Sequence, residues 1–306
     1  MIYQETKKAL GTDCLITLNT SDSILAKKTF MYLWKEIEDF ENRFSRFKSS
    51  SELSKTNINA GNKTKISKEF KNILIECIKY SNLTDGLYNP FILPALQSAG
   101  YKGSWPNPNI FNPDLDYSDR FIKDISELKI SGEYLTIPSD SALDLGGIGK
   151  GYLLKELTRE IKNKFSGYWI SLGGDILADG VNINDRPWNI FISDPNNEKN
   201  VSIVSNNKKF IAVATSGSLK RSGAGWNHLI DPRNGLSSIS NFLSASVVCD
   251  DPLKADILAS CFLLLKSNEI RKFADKFKVD VLLQKDFITS SSRNIMYLGN
   301  RSTFNP

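Results

Sequence analysis

The sequence is poor in the residues that most metal and redox centres require. Its 306 residues include one histidine, His228. A zinc site built from several imidazoles is thereby excluded, and any Ser-His-Asp triad has to use that ring. Of cysteine there are four, and Cys14, Cys77, Cys249 and Cys261 show no C-x-x-C spacing. All lie in apolar periodic stretches, which predicts buried free thiols in a reducing compartment and no disulfide framework. No run approaches the roughly twenty apolar residues of a membrane helix, and the opening MIYQETKKALGT lacks the apolar centre of a signal peptide. The expectation is a soluble, cytoplasmic protein without a membrane anchor.

Charge is just as unspecific. Lysine and arginine number 39 against 34 acids, a formal charge of +5, and acids interrupt nearly every basic stretch. A nucleic-acid partner is therefore not expected. Hydrophobic residues at 41% and charged ones at 24% match globular averages, which rules out a mainly disordered or collagen-like chain.

What is present is periodic. Cys14 to Leu18 alternates as a strand does. Phe30, Leu33, Trp34, Ile37, Phe40, Phe44 and Phe47 recur at steps of three and four, predicting an amphipathic helix with Lys35, Glu36, Glu38, Asp39 and Glu41 mostly opposite. A second helix is predicted from about Ser67 to Tyr80. Between residues 83 and 120, Pro90, Pro94, Pro106, Pro108 and Pro113 predict a long loop without regular elements. The second half predicts strands at Tyr168–Leu172, Trp188–Ile192, Phe210–Ala214, Leu243–Val248, Val279–Leu283 and Ile295–Leu298. Helices are predicted at Tyr152–Phe165, Leu253–Leu265 and Asn268–Phe277. With no repeat and no linker, the expectation is a single α+β domain over residues 1–306. Short strands would fill its second half, with amphipathic helices packed on the sheets.

Four segments could carry chemistry. The glycine-rich turn Leu143–Tyr152, LDLGGIGKGY, leads into a helix. Its amides and Lys150 favour an anion such as phosphate. It is not a P-loop, since Asp144 stands where the first glycine belongs and Gly151 where Ser or Thr belongs. Tyr152 likewise breaks the dinucleotide fingerprint. Ser171–Ile176, SLGGDI, reads on its own as a hairpin or bulge. Ala214-Thr215-Ser216-Gly217 precedes Arg221 and HLIDPRNG at His228–Gly235, whose Asp-Pro and Asn-Gly are strong turn chemistry. In ADILAS at Ala255–Ser260, Asp256 and Ser260 lie one helical turn apart, oxygen donors suited to Mg²⁺. An acid near a helix start and a serine bonded to its own helix would look the same. Together these parts suit a Mg²⁺-dependent enzyme acting on a phosphate-bearing ligand.

The order of the segments carries a resemblance. Leu10-Gly11-Thr12, Phe44-Ser45-Arg46-Phe47, Ser51-Glu52-Leu53, Asp85–Pro90, Asp144–Tyr152, Ser171–Ile176, Pro187-Trp188, Ala214–Gly217, His228–Gly235 and Ala255–Ser260 follow one another as in the ApbE family. The chain resembles these FAD:protein FMN transferases over nearly its whole length. The resemblance implies cleavage of the FAD pyrophosphate, transfer of FMN to a threonine or serine hydroxyl of an acceptor flavoprotein, and release of AMP. It implies Mg²⁺ on Asp256, Ser260 and the backbone carbonyl of Gly147. FAD contacts would fall on Leu10, Phe47, Leu87, Tyr88, Asn89, Asp144, Lys150 and Ile230, with His228 as the catalytic residue. Family members commonly carry threonine at Ser260, tyrosine at Phe47 and aspartate at Asn89. Hydrolysis of FAD to FMN and AMP, or FAD binding without catalysis, is left open by the same residues.

Overall fold

The computed structural model describes residues 1–101, 103, 122–219, 221–223, 226–285 and 295–305. Along the chain come β1 (Ile2–Ala9), β2 (Thr12–Asn19), α1 (Ser23–Phe44), α2 (Glu52–Ile58), β3 (Thr64–Lys65), α3 (Lys68–Leu83), α4 (Leu93–Ser98), β4 (Lys129–Ser131) and β5 (Tyr134–Thr136). Then follow α5 (Gly149–Ile161), β6 (Gly167–Leu172), β7 (Asp175–Gly180), β8 (Asn189–Ser193), β9 (Asn200–Ser205) and β10 (Ile211–Gly217). Short pairs come next: β11 (Ser222–Gly223) with β12 (Trp226–Asn227), and β13 (Ile230–Asp231) with β14 (Leu236–Ser237). The chain ends with β15 (Ser244–Cys249), α6 (Pro252–Phe262), α7 (Ile270–Phe277), β16 (Asp280–Gln284), β17 (Ile295–Leu298) and β18 (Phe304–Asn305). The fold is mixed α+β, as expected.

Two compact units divide these elements. The first takes Met1–Asp39, Lys150–Gly217 and Ser240–Pro306, and the second takes Phe40–Gly149 and Ser218–Ile239.

In the first unit, an antiparallel sheet runs β1-β2-β6-β7-β10-β15-β16-β17. A smaller sheet, β18-β9-β8, contributes Ile190, Ile192, Val204 and Phe304 to one core with Ala178, Val213, Val248 and Leu282 of the large sheet. Alternation explains the pairing, because β8 buries every second residue, Ile190 and Ile192, while Phe191 stays exposed. Helix α6 packs on β10 and β15 and is apolar nearly all round, burying Leu253, Ala255, Ile257, Leu258 and Ala259.

In the second unit, α3 buries Phe70, Ile73, Leu74 and Cys77, and Phe44 meets Phe70 at 5.5 Å between ring centroids. Ser67 caps α3 by accepting from Phe70 N, and Ser51 caps α2 by accepting from Ser54 N. The sheet here is β3-β5-β4.

Two expectations change. The aromatic stripe continues through Phe44, but α1 ends there and Phe47 is 44% exposed. Pro90 and Pro94 do not break structure. They open a 3₁₀ turn at Pro90–Ile92 and the first turn of α4, where a missing N–H costs nothing. The strand expected at Cys14–Leu18 lies within β2, which with β1 is the longest at 8 residues. The remainder of the expected loop, residues 102 and 104–120, lies outside the described residues. Cys14, Cys77 and Cys261 are buried and Cys249 half-buried, all as free thiols.

Candidate functional site

In the first unit the polar side chains gather on α5, β7, β10 and α6. Helix α6 is capped by Asp251, which accepts from Leu253 N at 3.0 Å, with Pro252 at the first helical position. Asp256 is therefore not the acid that caps its helix. It stands a turn later at 3% exposure, on a helix whose other buried residues are apolar. A carboxylate so placed requires partners. Gly151 N–H donates to Asp256 Oδ2 at 2.8 Å, and Lys150 Nζ lies 3.6 Å from Oδ1.

Gly151 makes this approach possible. A Cβ there would stand 2.6 Å from Pro252 O and 2.7 Å from Asp256 Cβ, so α5 can lie against α6 only with glycine at this point.

Lys150 also pairs with Asp175. Gly173 and Gly174, at φ +64° and +95°, form the two-residue turn that joins β6 to β7, with Leu172 paired across from Asp175. The hairpin reading of SLGGDI is thus correct, and the turn delivers Asp175 to the cluster at 3% exposure. Its Oδ1 accepts from Thr215 N at 3.3 Å. Burial pushes the Asp175 carboxyl up to about 6, opposed by the Lys150 charge and reinforced by Asp256. Two carboxylates thus share one lysine, and their field favours a further cation.

Hydroxyls border the acids. Ser260 Oγ bonds Ser216 Oγ of β10 at 2.8 Å, not its own helix. Next to it Thr215 and Ser246 hydroxyls pair at 2.8 Å.

In the second unit, Asp144 is buried and its carboxylate holds the glycine turn. Oδ1 accepts from Gly146 N at 2.7 Å, and Oδ2 receives Arg46 Nε at 2.9 Å. Asn57 pins the same turn through both polar atoms of its amide, to Leu143 O at 2.9 Å and Leu143 N at 2.8 Å. Leu87, Tyr88 and Asn89 are buried. Tyr88 OH lies 3.2 Å from Cys77 Sγ, and Thr84 Oγ1 accepts from Tyr88 N at 3.0 Å. Asn89 accepts from Phe91 N and donates to Lys123 O, each at 2.9 Å. An aspartate could not make that second bond, which gives the asparagine a local reason.

His228 is half-buried between β12 and β13. Its Nδ1 lies 3.2 Å from Arg221 O, and its N–H donates to the same carbonyl at 3.0 Å. A carbonyl only accepts, so Nδ1 carries the proton and Nε2 is the basic nitrogen. The Asp-Pro-Arg-Asn-Gly turn closes through Asp231 O, which accepts from Gly235 N at 2.8 Å. Ile230 is buried with Leu96, Tyr101 and Trp226.

The expected site residues thus fall into two sets. Lys150, Asp256 and Ser260 come together in the first unit, which also holds Leu10 in the β1–β2 turn. Phe47, Leu87, Tyr88, Asn89, Asp144, Gly147, His228 and Ile230 belong to the second. Sequence reasoning missed Asp175, Ser216 and Arg46 as site residues. A lone acid directly after two glycines and before an apolar strand was the available signal for Asp175.

Asp175 and Asp256 meet on Lys150, Ser216 and Ser260 bond each other, and all four side chains offer oxygen; among the described residues no group of three His, Cys, Asp or Glu is poised for a metal. That chemistry fits Mg²⁺, which takes one or two carboxylates and completes its shell elsewhere, and does not fit zinc. Fold and site define a mixed α+β protein with an acidic oxygen cluster suited to a hard cation. The sequence profile of the ApbE family matches residues 10–283, and the chain belongs to that family.

Relatives agree along most of the length. The FAD:protein FMN transferase of Haemophilus influenzae is 25% identical over 93% of this chain and 88% of its own. That of Vibrio cholerae is 25% identical over 81% and 76%. Among solved structures, the flavin transferase ApbE of Vibrio cholerae superposes with a TM-score of 0.82 at 23% identity, covering 99% of this chain and 98% of that one. The ApbE protein of Thermotoga maritima gives 0.83 at 21% identity, over 93% and 94%. At those identities the superpositions speak for the fold. No helix among the described residues is long and apolar enough to cross a membrane.

Proposed function

We propose that this chain is a Mg²⁺-dependent FAD:protein FMN transferase, moving the FMN half of FAD onto a threonine or serine hydroxyl of a flavoprotein. The observation that carries the reading is the buried Asp175–Lys150–Asp256 cluster, in a chain whose relatives bear that name. Asp256, Asp175 and Ser260 are the side chains assigned to Mg²⁺, with the Gly147 carbonyl assigned on family resemblance. Bound there, the ion would supply charge neutralisation for a pyrophosphate.

The chain's own residues do the rest. Lys150 adds positive charge for the phosphates, and Asp144, Phe47, Leu10, Ile230 and the Leu87–Asn89 segment hold FAD. In the transfer, the acceptor oxygen bonds to the FMN phosphorus and the pyrophosphate P–O bond breaks towards AMP. The hydroxyl proton passes to His228 Nε2, whose tautomer the Arg221 carbonyl sets.

The test combines protein, FAD, Mg²⁺ and a candidate acceptor, and reads acceptor mass and AMP release. Asp256→Ala is expected to abolish both. His228→Ala should cut transfer roughly 10²- to 10⁴-fold, the usual contribution of a general base, with FAD binding kept. AMP release at one rate with and without acceptor would instead assign hydrolysis. Full transfer by Asp256→Ala would overturn the metal assignment.

A further inference from the structure

The guanidinium of Arg46 is buried at 8% side-chain exposure. It sits in the corner formed by two rings packed edge to face, 4.3 Å from the Phe47 centroid and 4.7 Å from that of Tyr101. Tyr101 in turn stacks on Trp226 at 6.0 Å. Nε donates to Asp144 Oδ2 at 2.9 Å, and Nη1 reaches Tyr101 O at 3.5 Å. Nη2 is buried and has no acceptor among the described residues. An unsatisfied donor on a buried cation is costly, and a group left so in a folded protein calls for a partner such as a ligand or an ordered water.

The acceptor's chemistry follows from the pair. Asp144 already balances the charge of Arg46, so a second anion at Nη2 would face that carboxylate. A neutral carbonyl oxygen would not. The ring on one side of the guanidinium, Phe47, is 44% exposed and offers an apolar face to a planar group.

Resting on the flavin reading above, we infer that Arg46 recognises the flavin half of FAD. Its Nη2–H donates to a carbonyl oxygen of the isoalloxazine pyrimidinedione, while Phe47 lies against the ring system. Adenine presents no carbonyl oxygen, and the pyrophosphate is anionic. Asp144 acts here as a positioning residue, holding the guanidinium in its plane.

The experiment measures binding of riboflavin, FAD and AMP to the intact protein and to Arg46→Lys, which keeps a cation beside Asp144 but loses the planar fork. Riboflavin and FAD should bind about tenfold more weakly to the variant, the worth of one good hydrogen bond, and AMP equally well. In the wild type, 2-thio- or 4-thioriboflavin, with a weaker acceptor at one carbonyl, should bind several-fold more weakly than riboflavin. That loss should vanish in Arg46→Lys. Equal riboflavin affinity in both proteins, or equal loss of AMP and riboflavin, overturns the inference. Should the variant fail to fold, the thio series on the wild type decides alone, and affinities equal to riboflavin for both analogues overturn it. A wild type that binds FAD but shows no Arg46 effect sinks this inference only. A wild type that binds no flavin sinks the functional reading with it.

Discussion

Leu10 occupies a place where leucine is a poor choice. It and Gly11 form the two-residue turn between β1 and β2, at φ +55° and +68°. That turn type needs positive φ at both positions and favours Asn-Gly. A Cβ-bearing leucine there costs roughly 1–2 kcal/mol, and strain of this kind often marks a functional position. Leu10→Asn should therefore stabilise the protein by about 1 kcal/mol, read as a higher urea midpoint at unchanged slope. If Leu10 contacts FAD as proposed, the same variant loses flavin affinity. An unchanged midpoint would mean that the turn carries no strain. The cysteines make the opposite case, residues whose chemistry the fold silences. Burial pushes the Cys77 thiol up to about 12 and Cys249 to about 11, and raises Cys261 further, so little thiolate exists at neutral pH. Cys77, Cys249 and Cys261 should resist iodoacetamide in the native protein and react on denaturation, as peptide mass mapping would record. Rapid native labelling at Cys77 or Cys261 would contradict the packing.

At the scale of elements, long periodic helices were legible and short ones were not. The spacing of Phe30, Leu33, Trp34, Ile37, Phe40 and Phe44 marks α1 because each turn returns to one buried face. Helix α2, at 7 residues, and the two- or three-residue strands β3–β5 and β11–β14 are shorter than any period can reveal. For the site, composition and order pointed to Asp256, Ser260 and Lys150. What no linear pattern carries is that β7 brings Asp175 to the same lysine and β10 brings Ser216 to Ser260. The contact of α5 with α6 is testable through Gly151. Alanine there gains up to about 1 kcal/mol in helix propensity but drives a methyl to within 2.8 Å of Leu253 Cα and closer still to Pro252 O. Overpacking of that kind costs about 1–3 kcal/mol. Gly151→Ala should lower the denaturant midpoint and weaken metal-dependent activity, because Asp256 loses its amide donor as the helices part. A stability equal to wild type would show that the helices part without penalty.

Over the whole molecule, the first unit is assembled from three stretches of chain and the second from two. No composition shift marks their boundaries, so the sequence reads as one domain. The motifs survive that interleaving because each is a local turn or helix start. The acidic cluster lies wholly within the first unit, in which Lys150 comes at the start of one stretch, Asp175 in its middle and Asp256 in another. A cation bound to it would tie separate stretches of the fold together and should act on global stability. At a hundred times its dissociation constant, such a ligand adds about 2.7 kcal/mol, or several degrees of melting temperature for a chain of this size. Mg²⁺ should therefore raise the melting temperature of the wild type in a concentration-dependent way, with EDTA reversing the gain. Asp256→Ala should show no such rise at any Mg²⁺ concentration, while Cys261→Ser, on the same helix but with no oxygen in the cluster, should keep it. A Mg²⁺-dependent rise of equal size in Asp256→Ala would move the cation elsewhere on the protein and leave the two carboxylates serving Lys150 alone.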